Sequence, residues 1–167
     1  MRLNLGCSTD LRAGWLNVDS VRPDPLTVEN FQQVDLALPW PWAESSVEEI
    51  YAADLFEHLP DRVHTMNEAY RVLRPGGILR MECPDAAKGA GQWQDPDHKS
   101  AWTPNALQYY TDGSPAHKRF AAAYGITARF KVLGVTERVY HEFAGDPQSH
   151  GVVCHVWKFT AVLEALK

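Results

Sequence analysis

What this chain lacks excludes several classes before any motif is read. Only three of its 167 residues are cysteine, Cys7, Cys83 and Cys154, an odd number at wide spacing with no C-x-x-C. That pattern excludes a disulfide framework and reads as reduced thiols in a cytoplasmic protein. No apolar run approaches a membrane span, and Met1 leads directly into the first apolar alternation, so neither a spanning helix nor a signal peptide is expected. Basic runs are also missing, and the formal net charge is −5, which disfavours non-specific binding to nucleic acid or anionic membrane. There is no repeat, no low-complexity stretch and no linker, so residues 1–167 read as one domain. The dinucleotide fingerprint G-x-G-x-x-G is absent too, since only Gly6 and Gly14 are available near the first strand.

What is present is organised around the first nineteen residues. Arg2 to Leu5 read as a strand with Leu3 and Leu5 alternating with polar residues, followed by the turn-forming Gly6-Cys7-Ser8-Thr9-Asp10. A second strand, Trp15 to Val18, ends on Asp19. Glycine lets backbone approach a ligand, and a carboxylate at the next strand tip accepts hydrogen bonds from ribose hydroxyls. Asp19 follows Gly6 by thirteen positions, too few for the full helix whose N-terminus a diphosphate would want. S-adenosylmethionine carries adenosine and an amino acid but no phosphate, and suits the shorter spacing better.

Further on, Phe31 to Leu36 reads as a third strand near Asp35, and Ile50 to Ala53 as a buried one ending at Asp54. Val63, Met66, Ala69-Tyr70 and Leu73 mark a helix over Pro60–Leu73, stopped by Pro75-Gly76-Gly77. Ile78 to Cys83 is the next strand, with Asp85 just beyond it. Asp19, Asp35, Asp54 and Asp85 therefore fall at strand tips, and in an open parallel sheet those tips share the edge where ligands bind. Thr103-Pro104 opens a helix, and Ala116 to Tyr124 forms another, closed by Gly125. Arg129–Tyr140 reads as a strand bent at Gly134. The stretch from Val152 to Lys167 suits either periodicity and is read as a long strand antiparallel to it.

Leu3-Asn4-Leu5-Gly6-Cys7, Gly14-Trp15-Leu16-Asn17-Val18-Asp19, Asp54 to Leu59 and, above all, Arg71-Val72-Leu73-Arg74-Pro75-Gly76-Gly77 resemble class I SAM-dependent methyltransferases. The likeness is to their small type 11 subgroup, often bacterial or phage, and covers roughly Arg2 to Asp85. It implies an α/β, Rossmann-like, mostly parallel sheet of order 3-2-1-4-5-7-6 with strand 7 antiparallel, and trimmed helices. It implies S-adenosylmethionine as cofactor, with Leu5, Gly6 and Cys7 beneath the methionine part and Asp19 on the ribose. Asp35 and Leu36 would border the adenine, and Asp54 would lie near the transferable methyl. Asn4 stands where the family has an acid, and Ser8 where it has its second glycine.

The acceptor side rests on fewer residues. Asp54 and His58 are the catalytic candidates, since an imidazole there can act as general base; His58 could equally cap the following helix. Asp85, His98 and Trp102 are the candidates for substrate binding, with a hydrophobic staple as the plainer role for Trp102. Trp40 and Trp42 could close over the adenine or cover a bare sheet edge. His141, His150, Cys154 and His155 match no zinc spacing, so no metal is assigned. Asp54-Leu55-Phe56-Glu57 replaces the N-P-P-Y tetrapeptide of amine-methylating relatives, which leaves the acceptor unidentified and favours a small molecule or saccharide. The alternative is a non-catalytic SAM-binding or scaffold domain with the same fold.

Overall fold

Parallel strands need crossover connections, and here those connections are spare. The computed structural model describes residues 1–22, 30–89, 91–144 and 152–167. Seven strands form one sheet: β1 (Arg2–Leu5), β2 (Leu16–Asp19), β3 (Phe31–Gln33), β4 (Val47–Ala53), β5 (Leu73–Pro84), β6 (Phe130–Ala144) and β7 (Val152–Ala165). Their order is β3-β2-β1-β4-β5-β7-β6, and β7 runs antiparallel to both its neighbours. That is the order and the reversed strand the resemblance implies. Among the described residues only α1 (Arg62–Val72) exceeds six residues; α2 (Gly91–Gln94), α3 (Pro115–Phe120) and two short 3₁₀ segments supply the rest. None of these helices is long and apolar enough to cross a membrane.

The alternation in β1 does not mark a wet face. Leu3 and Leu5 are buried, and so is Asn4, at 1 % exposure. Asn4 pairs in register with Asn17 of β2, and its amide donates to Asn17 Oδ1 (2.9 Å) and the Asp10 carbonyl (2.6 Å). Asn17 Oδ1 also accepts from the Arg12 amide at 2.9 Å. A buried amide pair thus anchors the loop that replaces a crossover helix, and its polar atoms are satisfied as burial demands.

Helix α1 starts where Asp61 accepts from the Val63 and His64 amides, both at 2.9 Å, the N-cap arrangement. Its buried residues Met66, Ala69 and Val72 recur every three positions and enter the core. Leu73 is already extended, so the helix passes directly into β5, which runs twelve residues and includes Pro75-Gly76-Gly77. A side chain at position 77 would meet the Arg74 carbonyl oxygen at 2.9 Å, so only glycine lets the strand begin so close to the helix.

Several boundaries differ from the sequence reading. The third strand ends at Gln33, and Asp35 sits beyond it, accepting from the Ala37 amide at 2.9 Å. Trp40 and Trp42 are core residues, packed edge to face at 5.9 Å, so they cover the sheet edge and do not close over a ligand. Glu68 accepts from the Trp40 amide, while Arg71 donates to the Trp40 and Trp42 carbonyls, giving this proline-bound segment the partners it cannot find in a ladder. The expected bend at Gly134 appears as a register shift between Val132 and Gly134. Beyond Arg22, the loop expected over Val21–Glu29 lies outside the described residues, as does His150.

Candidate active site

The first turn after β1 is built for close approach. Gly6 has φ +64°, and a Cβ there would stand 2.9 Å from Leu55 Cδ1. The next residues are held by Cys7 N–H donating to the Val18 carbonyl (3.0 Å) and Ser8 N–H donating to Asp19 Oδ2 (2.9 Å). Asp19 Oδ1 accepts from the Val21 amide at 3.1 Å. Ser20 Oγ adds a long contact to Oδ1 at 3.5 Å, and a carboxylate with about four acceptor sites still has room for a ligand hydroxyl. Gly6, Asp19, Asp35, Leu36, Asp54 and His58 all line one cavity of about 700 Å³. Leu5 and Cys7 border a smaller one of about 290 Å³, which Gly6 and Asp54 share. Cys7 is buried, and burial first, then the Asp19 charge, push its thiol up to about 11, so it is no nucleophile.

Asp54 stands where the spaces meet. It follows β4 in the left-handed region, at φ +48°, and its N–H donates to the Glu82 carbonyl at 3.0 Å. Its Oδ2 accepts from Lys158 Nζ of β7 at 2.6 Å. Burial alone would lower the Lys158 ammonium, but the Asp54 hydrogen bond and charge outweigh it and hold the ammonium above its ordinary value. A non-glycine residue with positive φ costs about 1–2 kcal/mol, and the Lys158 and Glu82 contacts fix it in place.

A third cavity, of about 500 Å³, opens on the other side of Asp54, with Glu57, His58, Asp95, His98 and Lys158 in its wall. Glu57 belongs to the 3₁₀ turn Phe56–His58, which follows β4 directly. Its carbonyl accepts from the Lys99 and Ser100 amides (2.8 and 2.9 Å), tying the segment after α2 to the sheet edge. Its side chain is fully buried, and burial pushes the carboxyl up to about 7. His58 Nδ1 lies 3.2 Å from Asp97 Oδ2, and His98 Nδ1 lies 2.8 Å from the Gln92 carbonyl. The two rings meet edge to face at 4.8 Å.

The structure therefore joins Gly6, Asp19, Asp35, Leu36, Asp54 and His58 in one cavity, and Asp54, His58 and His98 in the next. Two expected residues stand apart. Trp102 is fully buried, 5.9 Å from the Phe56 ring, with Nε1–H donating to Ser100 Oγ at 3.1 Å; it supports the wall from behind and meets no ligand space. Asp85 is 3 % exposed, accepts from the Ala87 amide and borders none of the three cavities. His58 does not cap α1, because Asp61 does. Two site residues escaped the sequence reading, Glu57 and Lys158. Each is a charge inside an apolar run, Leu55-Phe56-Glu57-His58-Leu59 and Val156-Trp157-Lys158-Phe159, and that placement is the signal that could have found them.

The geometry suits an adenosyl sulfonium. Carboxylates at Asp19, Asp35 and Asp54 line the larger cavity beside apolar Leu36 and Leu55, favouring a cationic, partly apolar nucleoside. No helix follows the Gly6 turn to receive a diphosphate.

Comparison with known proteins agrees with this reading. Residues 3–81 match the family model described as a methyltransferase domain. Among curated proteins, 51 residues are 39% identical to the 27-O-demethylrifamycin SV methyltransferase of Amycolatopsis mediterranei (strain S699), spanning 30% of this chain and 18% of that one. An alignment over 99 residues is 35% identical to the methyltransferase GfsG of Streptomyces halstedii, spanning 46% of this chain and 35% of that one. The chain thus spans about a third or less of the curated relatives it matches. Among solved structures, the fold superposes on a SAM-dependent methyltransferase of Methanosarcina mazei with a TM-score of 0.60 at 14% identity, covering 99% of this chain and 92% of that one.

Proposed function

We propose that this chain, a methyltransferase domain with the class I sheet and a family match over residues 3–81, transfers a methyl group from S-adenosylmethionine to a hydroxyl of a small-molecule acceptor. One observation carries the reading: the cavity holding Gly6, Asp19 and Asp35 and the cavity holding Glu57, His98 and Lys158 share Asp54 and His58 as a common wall. Two ligands seated on either side of that wall present their reacting atoms to each other, the arrangement a group transfer needs. The bound cofactor supplies an electrophilic methyl on a positive sulfur.

The residues then divide the work. Asp19 accepts from the ribose hydroxyls, Asp35 and Leu36 border the base, and the Gly6 turn passes beneath the methionine part. Asp54, oriented by Lys158, directs negative charge toward the sulfur. In the second cavity a hydroxyl meets, as acceptors, the Asp54 carboxylate and the ring nitrogens of neutral His58 and His98 not turned to Asp97 and Gln92, with the Lys158 ammonium in the same wall. Those acceptors orient the hydroxyl oxygen and draw off its proton as the oxygen–carbon bond forms. At about 500 Å³ the second cavity is of a size to take a small molecule or a sugar unit. The Amycolatopsis relative acts, by its name, on 27-O-demethylrifamycin SV, a small molecule.

Parallel calorimetric titrations with S-adenosylmethionine, S-adenosylhomocysteine and NAD test the cofactor. Binding of both sulfur nucleosides and not NAD is expected. Release of S-adenosylhomocysteine in the presence of hydroxylated small molecules then tests the transfer. A protein that binds NAD, or neither sulfur nucleoside, would overturn the reading.

A further inference from the structure

The Glu57 carboxylate is an anomaly that methyl transfer does not use. It is fully buried, neither oxygen makes a hydrogen bond of ordinary geometry to a described residue, and the buried Cys83 thiol beside it is only a weak donor. A buried carboxylate so poorly partnered is strongly disfavoured as an anion unless a cation joins it. The Lys158 ammonium in the same wall is engaged by Asp54 at 2.6 Å. His58 Nδ1 faces the Asp97 carboxylate and His98 Nδ1 the Gln92 carbonyl, both acceptors, so in the neutral ring Nδ1 holds the proton and Nε2 is the ligand atom; His98 Nε2 also stands 4.0 Å from Asp95 Oδ2. A buried carboxylate and two imidazoles thus converge in one stretch of the wall. One ligand atom from each of Glu57, His58 and His98 lies within 4.8 Å of the others.

We propose that Glu57, His58 and His98 bind a first-row divalent cation at the floor of the second cavity, with its remaining coordination positions open to the acceptor. Two imidazole nitrogens and one carboxylate oxygen form a donor set suited to Mn²⁺, Fe²⁺, Co²⁺ or Zn²⁺ and poorly suited to Mg²⁺ or Ca²⁺. Metal–ligand bonds near 2.1 Å place adjacent ligand atoms about 3–3.5 Å apart, so from a widest separation of 4.8 Å the triad closes by up to roughly 1.5 Å on binding. His58, partly exposed on a short turn, is free to supply that movement. The outer contacts are those a metal site uses: Asp97 and the Gln92 carbonyl fix which imidazole nitrogen points inward. The cation supplies the charge that Glu57 lacks, and its open positions take oxygen atoms, which selects an acceptor bearing a hydroxyl beside a second oxygen donor; with both imidazoles on the cation, Asp54 is the acceptor left for the hydroxyl proton. This last point rests on reading the second cavity as the acceptor's; the metal site itself does not.

The test is a titration of chelator-treated full chain with Co²⁺ and Zn²⁺, without nucleoside, followed by visible absorption for Co²⁺ and by calorimetry for Zn²⁺. One equivalent per chain is expected. Glu57→Gln, which keeps the side-chain shape, should weaken binding at least about a hundredfold, and His98→Ala equally, while the outer-shell variant Asp97→Asn should cost about tenfold. His64→Ala, on the outer face of α1, should change nothing. No stoichiometric binding, or binding that Glu57→Gln leaves unchanged, would overturn the proposal. If His98→Ala fails to fold, Glu57→Gln alone decides. Nucleoside binding is measured separately on the metal-free chain, so failure of the cofactor reading and failure of the metal site are distinguishable.

Discussion

The two sides of the Asp54 wall are built by different rules. Most of the proposed nucleoside side is made by consecutive elements within the first 37 residues, β1, its turn, β2 and the segment after β3, closed by residues 54–60 and by Asp97 and Lys99. Its contacts are largely backbone amides meeting Asp19 or Asp35. The acceptor side draws on β4, the segment around α2 and β7, so that Lys158 meets Asp54 across 104 positions. Its contacts mix side-chain pairs, Lys158 with Asp54 and His58 with Asp97, with long-range main-chain ties, and the Glu57 carboxyl has no hydrogen bond of ordinary geometry. A site made by neighbours in sequence is held by main chain and tolerates little variation. A site made by distant segments can change its side chains without disturbing the sheet.

Substitutions can break or sharpen that contrast. The largest effect is expected from Asp19→Ala, which should weaken S-adenosylmethionine binding by at least about a hundredfold, the loss of two charge-assisted hydrogen bonds, while the far-ultraviolet spectrum is unchanged. Retained micromolar affinity would remove Asp19 from the ribose. Lys158→Met should do the opposite: turnover should fall roughly tenfold through the loss of Asp54 orientation, with nucleoside affinity nearly unchanged. If it cost affinity and spared turnover, the two sides would not be distinct. Gly6→Ala should touch both, because its Cβ meets Leu55 at 2.9 Å in a backbone conformation that side chains avoid. A loss of about 2 kcal/mol in denaturant unfolding is expected.

The smallest effect lies outside the cleft and serves as its control. The Arg71 guanidinium, hydrogen-bonded to Glu68, holds that carboxyl below its ordinary value. A lowered carboxyl contributes stability in full above its unfolded value and loses it as pH falls through the folded one. Glu68→Gln should therefore cost roughly 1 kcal/mol, after allowance for solvent screening, at neutral pH. The gap to wild type should narrow between about pH 5 and pH 3. Neither ligand's affinity should change.

The same contrast explains what the chain made legible. Strand order came from the resemblance of whole motifs, whereas the Asp19 tip and the start of β5 were readable locally, because Gly6, Asp19 and Pro75-Gly76-Gly77 act through turn geometry and strand ends. Asn4 looked like a weakened site residue; its pairing with Asn17 shows a structural anchor, which no spacing argument reveals. Asp35 lines the larger cavity but from a turn, since the strand stops two residues earlier. Trp102 misled because an aromatic in a loop carries no mark of its burial. Glu57 and Lys158 were illegible as a site because their partners lie far along the chain, and an ambiguous period in the last strand hid which face Lys158 would occupy.

The position of β7 also sets an order of assembly. It is the latest of the described strands along the chain, yet it slots between β5 and β6 and is paired along both edges. Until it arrives, β5 presents a bare row of amides and carbonyls, the kind of edge to which other chains adhere. A nascent polypeptide halted at that stage would already own the nucleoside pocket and would still lack Lys158. Such a chain captures cofactor without using it, and bound nucleoside would steady the half-built sheet while its exposed edge waits for the closing strand.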